Sequence, residues 1–156
     1  MLRKAENKDI PRIAEIIIFT KRVTYRPIFQ NDNVSFNEMQ VVKEIERLQQ
    51  PNELDNVYVY DDGIVKATIK AEITPEKSNV SDFLVDTFFQ GEGIGTKILT
   101  EIMNKTQKVS LYVLDKNEKA IKFYDKLGFK YTGIKKEFLN SGFYMLQYVF
   151  SYNEFN

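Results

Sequence analysis

Three glycines at alternate positions, Gly91, Gly93 and Gly95, stand in the stretch FFQGEGIGTKIL and run straight into an apolar-periodic segment. The first N–H groups of a helix have no internal partners and sit at the positive end of its dipole, so a glycine approach that bares them makes an anion site. Phosphate is the natural guest. The structural alternative is a tight strand-to-helix turn and nothing more. Two nucleotide motifs fit poorly. A P-loop needs its second Gly followed by Lys and then Ser or Thr, whereas Gly95-Thr96-Lys97 lacks both spacing and order. A dinucleotide fingerprint belongs to an early strand-helix-strand unit, whereas these glycines lie more than halfway along the chain.

The residue inventory narrows the chemistry further. With 0 Cys and 0 His among 156 residues, disulfides, thiolate nucleophiles, Ser-His-Asp catalysis and nearly every zinc site are excluded. No metal is expected. Any chemistry falls to Tyr, Asp, Glu, Lys, Ser or Thr, to backbone groups, or to a cofactor. Lys plus Arg and Asp plus Glu balance at 22 each, so no net field draws the chain to nucleic acid or an anionic membrane. No apolar run approaches the roughly 20 residues of a membrane helix, and no signal-peptide core opens the chain. The reading is a cytoplasmic protein of one domain, residues 1–156.

The elements that must position the glycines follow from periodicity. A short strand is predicted at 2–5. Ile10, Ile13, Ala14 and Ile17 share a stripe with Pro11 in the first turn, which predicts a helix over about 9–22. VTYRPIFQNDNV reads as an irregular loop. Ser35 and Glu38 form a capping-box pattern ahead of Val41, Val42, Ile45 and Leu48, so a second helix is expected from Ser35 to Pro51. Alternation on both sides of Asp62-Gly63 predicts a hairpin of strands 56–61 and 64–73. A strand over 79–87 feeds the glycines, and a third helix runs from 94 to about 105. A strand at 108–114 precedes a fourth helix, with Asn117 as N-cap and Gly128 as its stop. Two closing strands, 129–137 and 143–151, pair across Asn140-Ser141-Gly142. The order β α α β β β α β α β β is an α/β (α+β) mixed sheet with helices on its faces.

Two segments then fall into one pattern. QGEGIGTKIL, from Gln90, resembles the acyl-CoA pyrophosphate loop of the GCN5-related N-acetyltransferase (GNAT) superfamily, which reads Gln or Arg, two residues, Gly, one residue, Gly or Ala. Downstream, LYVLDKNEKAIKFYDKLGFK resembles that family's other motif through Asn117, Ala120, Tyr124, Leu127, Gly128 and Phe129. The resemblance covers about residues 79–131 and implies a mixed, mostly antiparallel sheet of about seven strands flanked by four helices. It implies acetyl-CoA as co-substrate. The backbone around Gln90, Gly91, Gly93, Ile94, Gly95 and Thr96 would hold the pyrophosphate, and Leu84 and Val85 would present backbone to the pantetheine arm and the thioester oxygen. Asn117, with Ala120 one turn on, would bond the pantetheine; its rival role is that of a plain helix cap. Tyr124 would be the acid that protonates departing CoA thiolate, against the rival reading of a core tyrosine on an apolar helix face.

The acceptor side is less determined. An ammonium of pKa about 10.4 costs roughly 4–5 kcal/mol to deprotonate at about pH 7, so a base is expected. The positions where branches of the family carry a Glu hold Asn79 and Tyr112 here. Asp82, Glu72, Glu137 or water alone are the candidates. TYRPIF, residues 24–29, resembles the acceptor-side loop of the polyamine-acetyltransferase branch, with Pro27 in place of a Gly. The expectation is an N-acetyltransferase acting on a small-molecule amine or polyamine by direct attack in a ternary complex. A protein N-terminus or lysine is the alternative acceptor, and a CoA-binding regulatory module the alternative function. A homodimer is compatible with the two terminal strands.

Overall fold

The computed structural model describes residues 1–152. Seven strands form one sheet in the order β1-β2-β3-β4-β5-β7-β6. They are β1 (Leu2–Lys4), β2 (Val57–Asp61), β3 (Val65–Ile73), β4 (Ser78–Val85), β5 (Lys108–Leu114), β6 (Lys130–Glu137) and β7 (Tyr144–Ser151). The helices are α1 (Ile10–Phe29), α2 (Val41–Leu48), α3 (Ile94–Met103) and α4 (Glu118–Lys126). Only β4 with β5 is a parallel pair among the registers resolved; β1 with β2, β2 with β3, β5 with β7 and β6 with β7 are antiparallel. The mixed, mostly antiparallel sheet expected from the sequence is thus present, with every strand within a few residues of its predicted span.

Among the described residues the chain folds as two compact units, residues 1–71 with 82–98 and residues 72–81 with 99–152. In the first, Ile10, Ile13, Ala14, Ile17 and Ile18 of α1 pack with Leu48 of α2 and Val57 and Val59 of β2. These side chains bury the stripe that the 3.6-residue period required, and burial of each contributes about 1.5–3 kcal/mol. Arg3 of β1 staples this layer at one end. Its Nη1 and Nη2 donate to the two carboxylate oxygens of Asp9 at 2.8 and 2.9 Å, and Nε and Nη2 donate to Asp61 Oδ2 at 3.0 and 2.9 Å. Asp9 is buried. The guanidinium holds both carboxyls below the ordinary carboxylate range.

In the second unit, β5 alternates about Val109, Leu111 and Val113 and lies between the start of β4 and β7. Phe129 and Phe150, with ring centroids 5.8 Å apart, continue this layer beneath α4. Strand β6 is exposed along its whole length.

Two sequence expectations are corrected in the first unit. Helix α1 does not stop at residue 22; it continues through the segment read as a loop and ends at Phe29. Tyr25, Ile28 and Phe29 keep the i, i+3, i+4 rhythm, and that periodicity outweighs the single backbone bond Pro27 removes. The stop is Gln30, left-handed at φ 51°, whose N–H donates to the Arg26 carbonyl. The second helix starts at Val41 rather than Ser35. Ser35 is buried inside a π-turn, Asn33–Glu38, and does not cap a helix. Arg22 accounts for this: its Nε donates to the Ser35 carbonyl and its Nη2 to the Met39 carbonyl, both at 2.9 Å.

Candidate functional site

The glycine turn is built by what precedes it. β4 ends at Val85, and the chain enters a single 3-10 turn, Thr87–Phe89, capped by Asp86, whose Oδ1 accepts the Phe88 N–H at 2.9 Å. Asp86 is buried, and its other oxygen takes Arg12 Nη2 at 2.6 Å. Arg12 also donates Nε to the Val65 carbonyl, and the Asp86 N–H donates to the Lys66 carbonyl at 2.9 Å. These charge-assisted bonds fix the turn to α1 and β3. Neither Arg12 nor Asp86 stands out in the sequence. An Arg and an Asp 74 positions apart carry no local signal, and only the fold makes them neighbours.

The glycines follow. Gln90 Nε2 donates to the Val85 carbonyl at 3.0 Å, closing the turn on itself. Gly91 and Gly93 are left-handed, at φ 82° and 80°, a conformation that side chains disfavour. A Cβ built on either glycine meets nothing within 4 Å, so its own unit leaves the space above them open. Gly95 differs from its neighbours: it is the second residue of α3. The first closed helical bond is Lys97 N–H to the Gly93 carbonyl, 3.0 Å, so the N–H groups of Ile94, Gly95 and Thr96 precede the helix's own ladder. Ile94 is buried and anchors the turn, while Thr96 is exposed. The set has the form of an anion cradle at the start of a ten-residue helix.

Leu84 and Val85 are the last two residues of β4, and Leu84 packs against the core of α1, α2 and β2. Two residues earlier, Asp82 sits at φ 45°, a strained value for a strand residue with a side chain. Its carboxylate is 3.5 Å from Lys21 Nζ, and it lines a small cavity with Arg47, Glu53 and Lys70. Burial first and the Asp82 charge second push the Tyr25 phenol above its ordinary value.

The second unit holds the downstream motif. Asn117 caps α4, its Oδ1 accepting the Ala120 N–H at 3.3 Å. Helix α4 closes in a Schellman arrangement: the Phe129 N–H donates to the Tyr124 carbonyl at 3.0 Å and the Gly128 N–H to the Asp125 carbonyl at 3.1 Å. Gly128 supplies the left-handed residue at φ 90°. The apolar contact that accompanies such a cap is Tyr124 against Phe129, ring centroids 5.6 Å apart. Leu-Gly-Phe is therefore the device that fixes the Tyr124 ring. Tyr124 is 8% exposed, edge-on to Phe123 at 5.3 Å. A phenol hydroxyl can donate a hydrogen bond as well as accept one.

Of the other acidic candidates, Glu137 accepts the Gly142 N–H at 3.1 Å in the β6–β7 turn, and Glu72 is exposed on β3. Among the described residues no helix is long and apolar enough to cross a membrane.

Comparison with known proteins gives this geometry a family. A glucosamine 6-phosphate N-acetyltransferase of Trypanosoma brucei brucei is 32% identical over 54 residues, 33% of this chain and 37% of that protein. The match therefore spans little more than a third of the curated relative. Among solved structures, an N-acetyltransferase from Staphylococcus aureus Mu50 superposes with a TM-score of 0.74 at 18% identity, covering 96% of this chain and 100% of that one. The PaiA N-acetyltransferase from Thermoplasma acidophilum, solved in complex with coenzyme A, does so with a TM-score of 0.69 at 19% identity, covering 97% and 98%. These likenesses establish the fold. The family described as "Acetyltransferase (GNAT) domain" matches residues 53–131, just over half of the sequence and both motifs, and the chain belongs to it.

Proposed function

We propose that this protein transfers acetyl from acetyl-CoA to a primary amine of a small molecule, by direct attack in a ternary complex and without a metal. The observation that carries the reading is the turn at Gly91 and Gly93. Two left-handed glycines with open space above them lead into a helix whose first N–H groups precede its own ladder. Such a cradle fits the pyrophosphate of CoA. In this reading Gly91, Gly93, Ile94, Gly95 and Thr96 hold that group, Gln90 braces the turn, and the Leu84–Val85 backbone receives the pantetheine arm. Asn117 bonds the pantetheine with the amide hydrogens its cap leaves over, beside Ala120.

The amine nitrogen attacks the thioester carbon; the N–C bond forms and the C–S bond breaks. The ammonium loses one proton to a base before attack; the departing sulfur takes one from Tyr124, which is restored by the proton the acylated nitrogen then loses. Asp82 is the base we favour among the candidates. It occupies a strained backbone position on the strand that leads to the turn, and strain of that kind persists where the surroundings impose it. Asp82→Asn is expected to lower turnover about 10-fold near neutral pH and less at alkaline pH, where the amine is already free. An unchanged rate at both would remove Asp82 from the mechanism.

The sequence resemblance puts polyamines among the candidate acceptors. The test is thiol release from acetyl-CoA across polyamines, arylamines, amino acids and peptides. Amine-dependent release supports transfer. Tight CoA binding with no release from any amine would favour a CoA-binding regulatory module, and transfer to peptides alone would favour a protein acceptor.

A further inference from the structure

The continuation of α1 past residue 22 creates a groove that the sequence did not foresee. It has a volume of about 770 Å³, within the range of small-molecule sites, and lies between the second half of α1 and the π-turn. Phe19, Val23, Pro27 and Phe36 give it apolar walls. Three of these are conspicuously exposed for their type: Phe19 at 44%, Val23 at 51% and Phe36 at 47%. Phe19 also lies parallel to Phe88 of the turn before the glycines, ring centroids 6.4 Å apart. Phe19 thus ties one wall of the groove to the segment that leads to Gly91 and Gly93.

Its charges are unequal. Arg26 is neutralised by Asp32, Nε to Oδ1 at 2.8 Å. Arg22 has no carboxylate among the ion pairs of the described residues. It is held instead by two backbone carbonyls, Ser35 and Met39, with its guanidinium 5.2 Å from the Phe36 ring centroid. Two carbonyl dipoles orient a guanidinium without cancelling its charge, and Nη1 remains to donate. The groove therefore has apolar walls, one fixed and uncompensated positive charge, and one neutral ion pair. A polyamine, all cation, would meet net repulsion there. A ligand with an apolar or aromatic body and one anionic group would match both features.

Building on the acetyltransferase reading above, we infer that the acceptor is an amine carrying an apolar, preferably aromatic, body and one anionic group, carboxylate or phosphate, with Arg22 receiving the anion. Arg22 and Phe36 are then the specificity-determining residues. Phenylalanine, which has all three parts, is the simplest probe. The reaction balances as before: its ammonium nitrogen gains the acetyl group and loses two protons, one to the base and one that makes good the proton CoA carries away as the thiol.

Thiol release from acetyl-CoA is measured with L-phenylalanine, L-phenylalanine amide, phosphoethanolamine, O-phosphotyramine and spermidine. Phenylalanine or O-phosphotyramine should exceed the amide and spermidine at least 10-fold in kcat/KM, and which of the two is better tells carboxylate from phosphate. Phosphoethanolamine, which lacks the ring, should be poorer than O-phosphotyramine. Arg22→Met should erase the preference for the anion through KM. Equal or better use of the amide or spermidine, or a preference retained by Arg22→Met, overturns the inference. Arg22→Lys is the second variant: it keeps the charge, and recovery of part of the preference with unchanged melting temperature separates recognition from mere folding.

Should no amine be acetylated while CoA binds, the acetyltransferase reading fails on its own. The groove is then decided by saturation-transfer NMR with N-acetyl-L-phenylalanine and its amide. Signal for the acid over the amide, lost in Arg22→Met, supports an anion-and-ring site; equal or absent signal overturns it.

Discussion

The two motifs that define the family are built in opposite ways. At Gln90–Thr96 the proposed working part is the backbone, and the positions of Gly91 and Gly93 are open above. At Asn117–Phe129 the proposed working parts are side chains already engaged in structure. Asn117 caps α4, and Tyr124 packs within the cap that Gly128 and Phe129 close. A turn whose atoms face outward can be altered at the cost of backbone strain alone. A helix whose site residues also complete its ends cannot. The contrast explains why the same structure makes one motif easy to test and the other prone to mixed effects.

The largest effect should come from the open turn. Gly93→Val is expected to weaken CoA binding more than 100-fold, because its side chain would fill the approach to the N–H groups. A Cβ there meets no protein atom, so its cost in stability is backbone strain alone, about 1–2 kcal/mol. Calorimetric titration with CoA, paired with thermal melting, separates the two; tight binding by the variant would break the comparison at its strong end. Next is Tyr124→Phe, which keeps the ring that meets Phe129. Turnover should fall about 100-fold with acetyl-CoA affinity retained, the pattern of an interaction made only in the transition state. Stopped-time assays of kcat and KM check it.

A region outside both motifs sharpens the contrast. Asp9→Asn should cost about 2–3 kcal/mol at neutral pH, because it unpairs a buried carboxylate from Arg3, while leaving acetyl-CoA affinity intact. Both Asp9 and Asp61 have lowered pKa values, so the stability they give is full above about pH 4 and drains as the pH falls through those lowered values. Acid unfolding of the variant should accordingly have a shallower limb. The smallest effect belongs to Asn117→Ala, where loss of the cap should cost about 1 kcal/mol, or about 2–4 °C in melting temperature, together with a several-fold rise in KM for acetyl-CoA. A change in only one of those two readouts would show that Asn117 has a single role.

Legibility in the sequence follows the same division. Strand and helix periodicity places all seven strands and α4 within a few residues, and Gly91, Gly93, Asn117 and Gly128 declare their backbone roles through type and spacing. Their signals are local. The segment from 23 to 38 misleads because Pro27 and its Asn-rich surroundings mask the apolar rhythm of Tyr25, Ile28 and Phe29. Ser35 matches a capping box, but Arg22 claims its carbonyl from thirteen residues away. Arg12 with Asp86 stays invisible for the same reason: a bond that spans the chain leaves no pattern along it.

The central claim is that the backbone N–H groups around the glycine turn receive the pyrophosphate of CoA. Titrating nitrogen-labelled protein with CoA and following the amide resonances tests it most directly. The account predicts that the amides of Gly91, Gly93, Ile94, Gly95 and Thr96 shift together, downfield and saturably, and that Gly93→Val abolishes those shifts. Saturable CoA binding that leaves these five amides unmoved would contradict it.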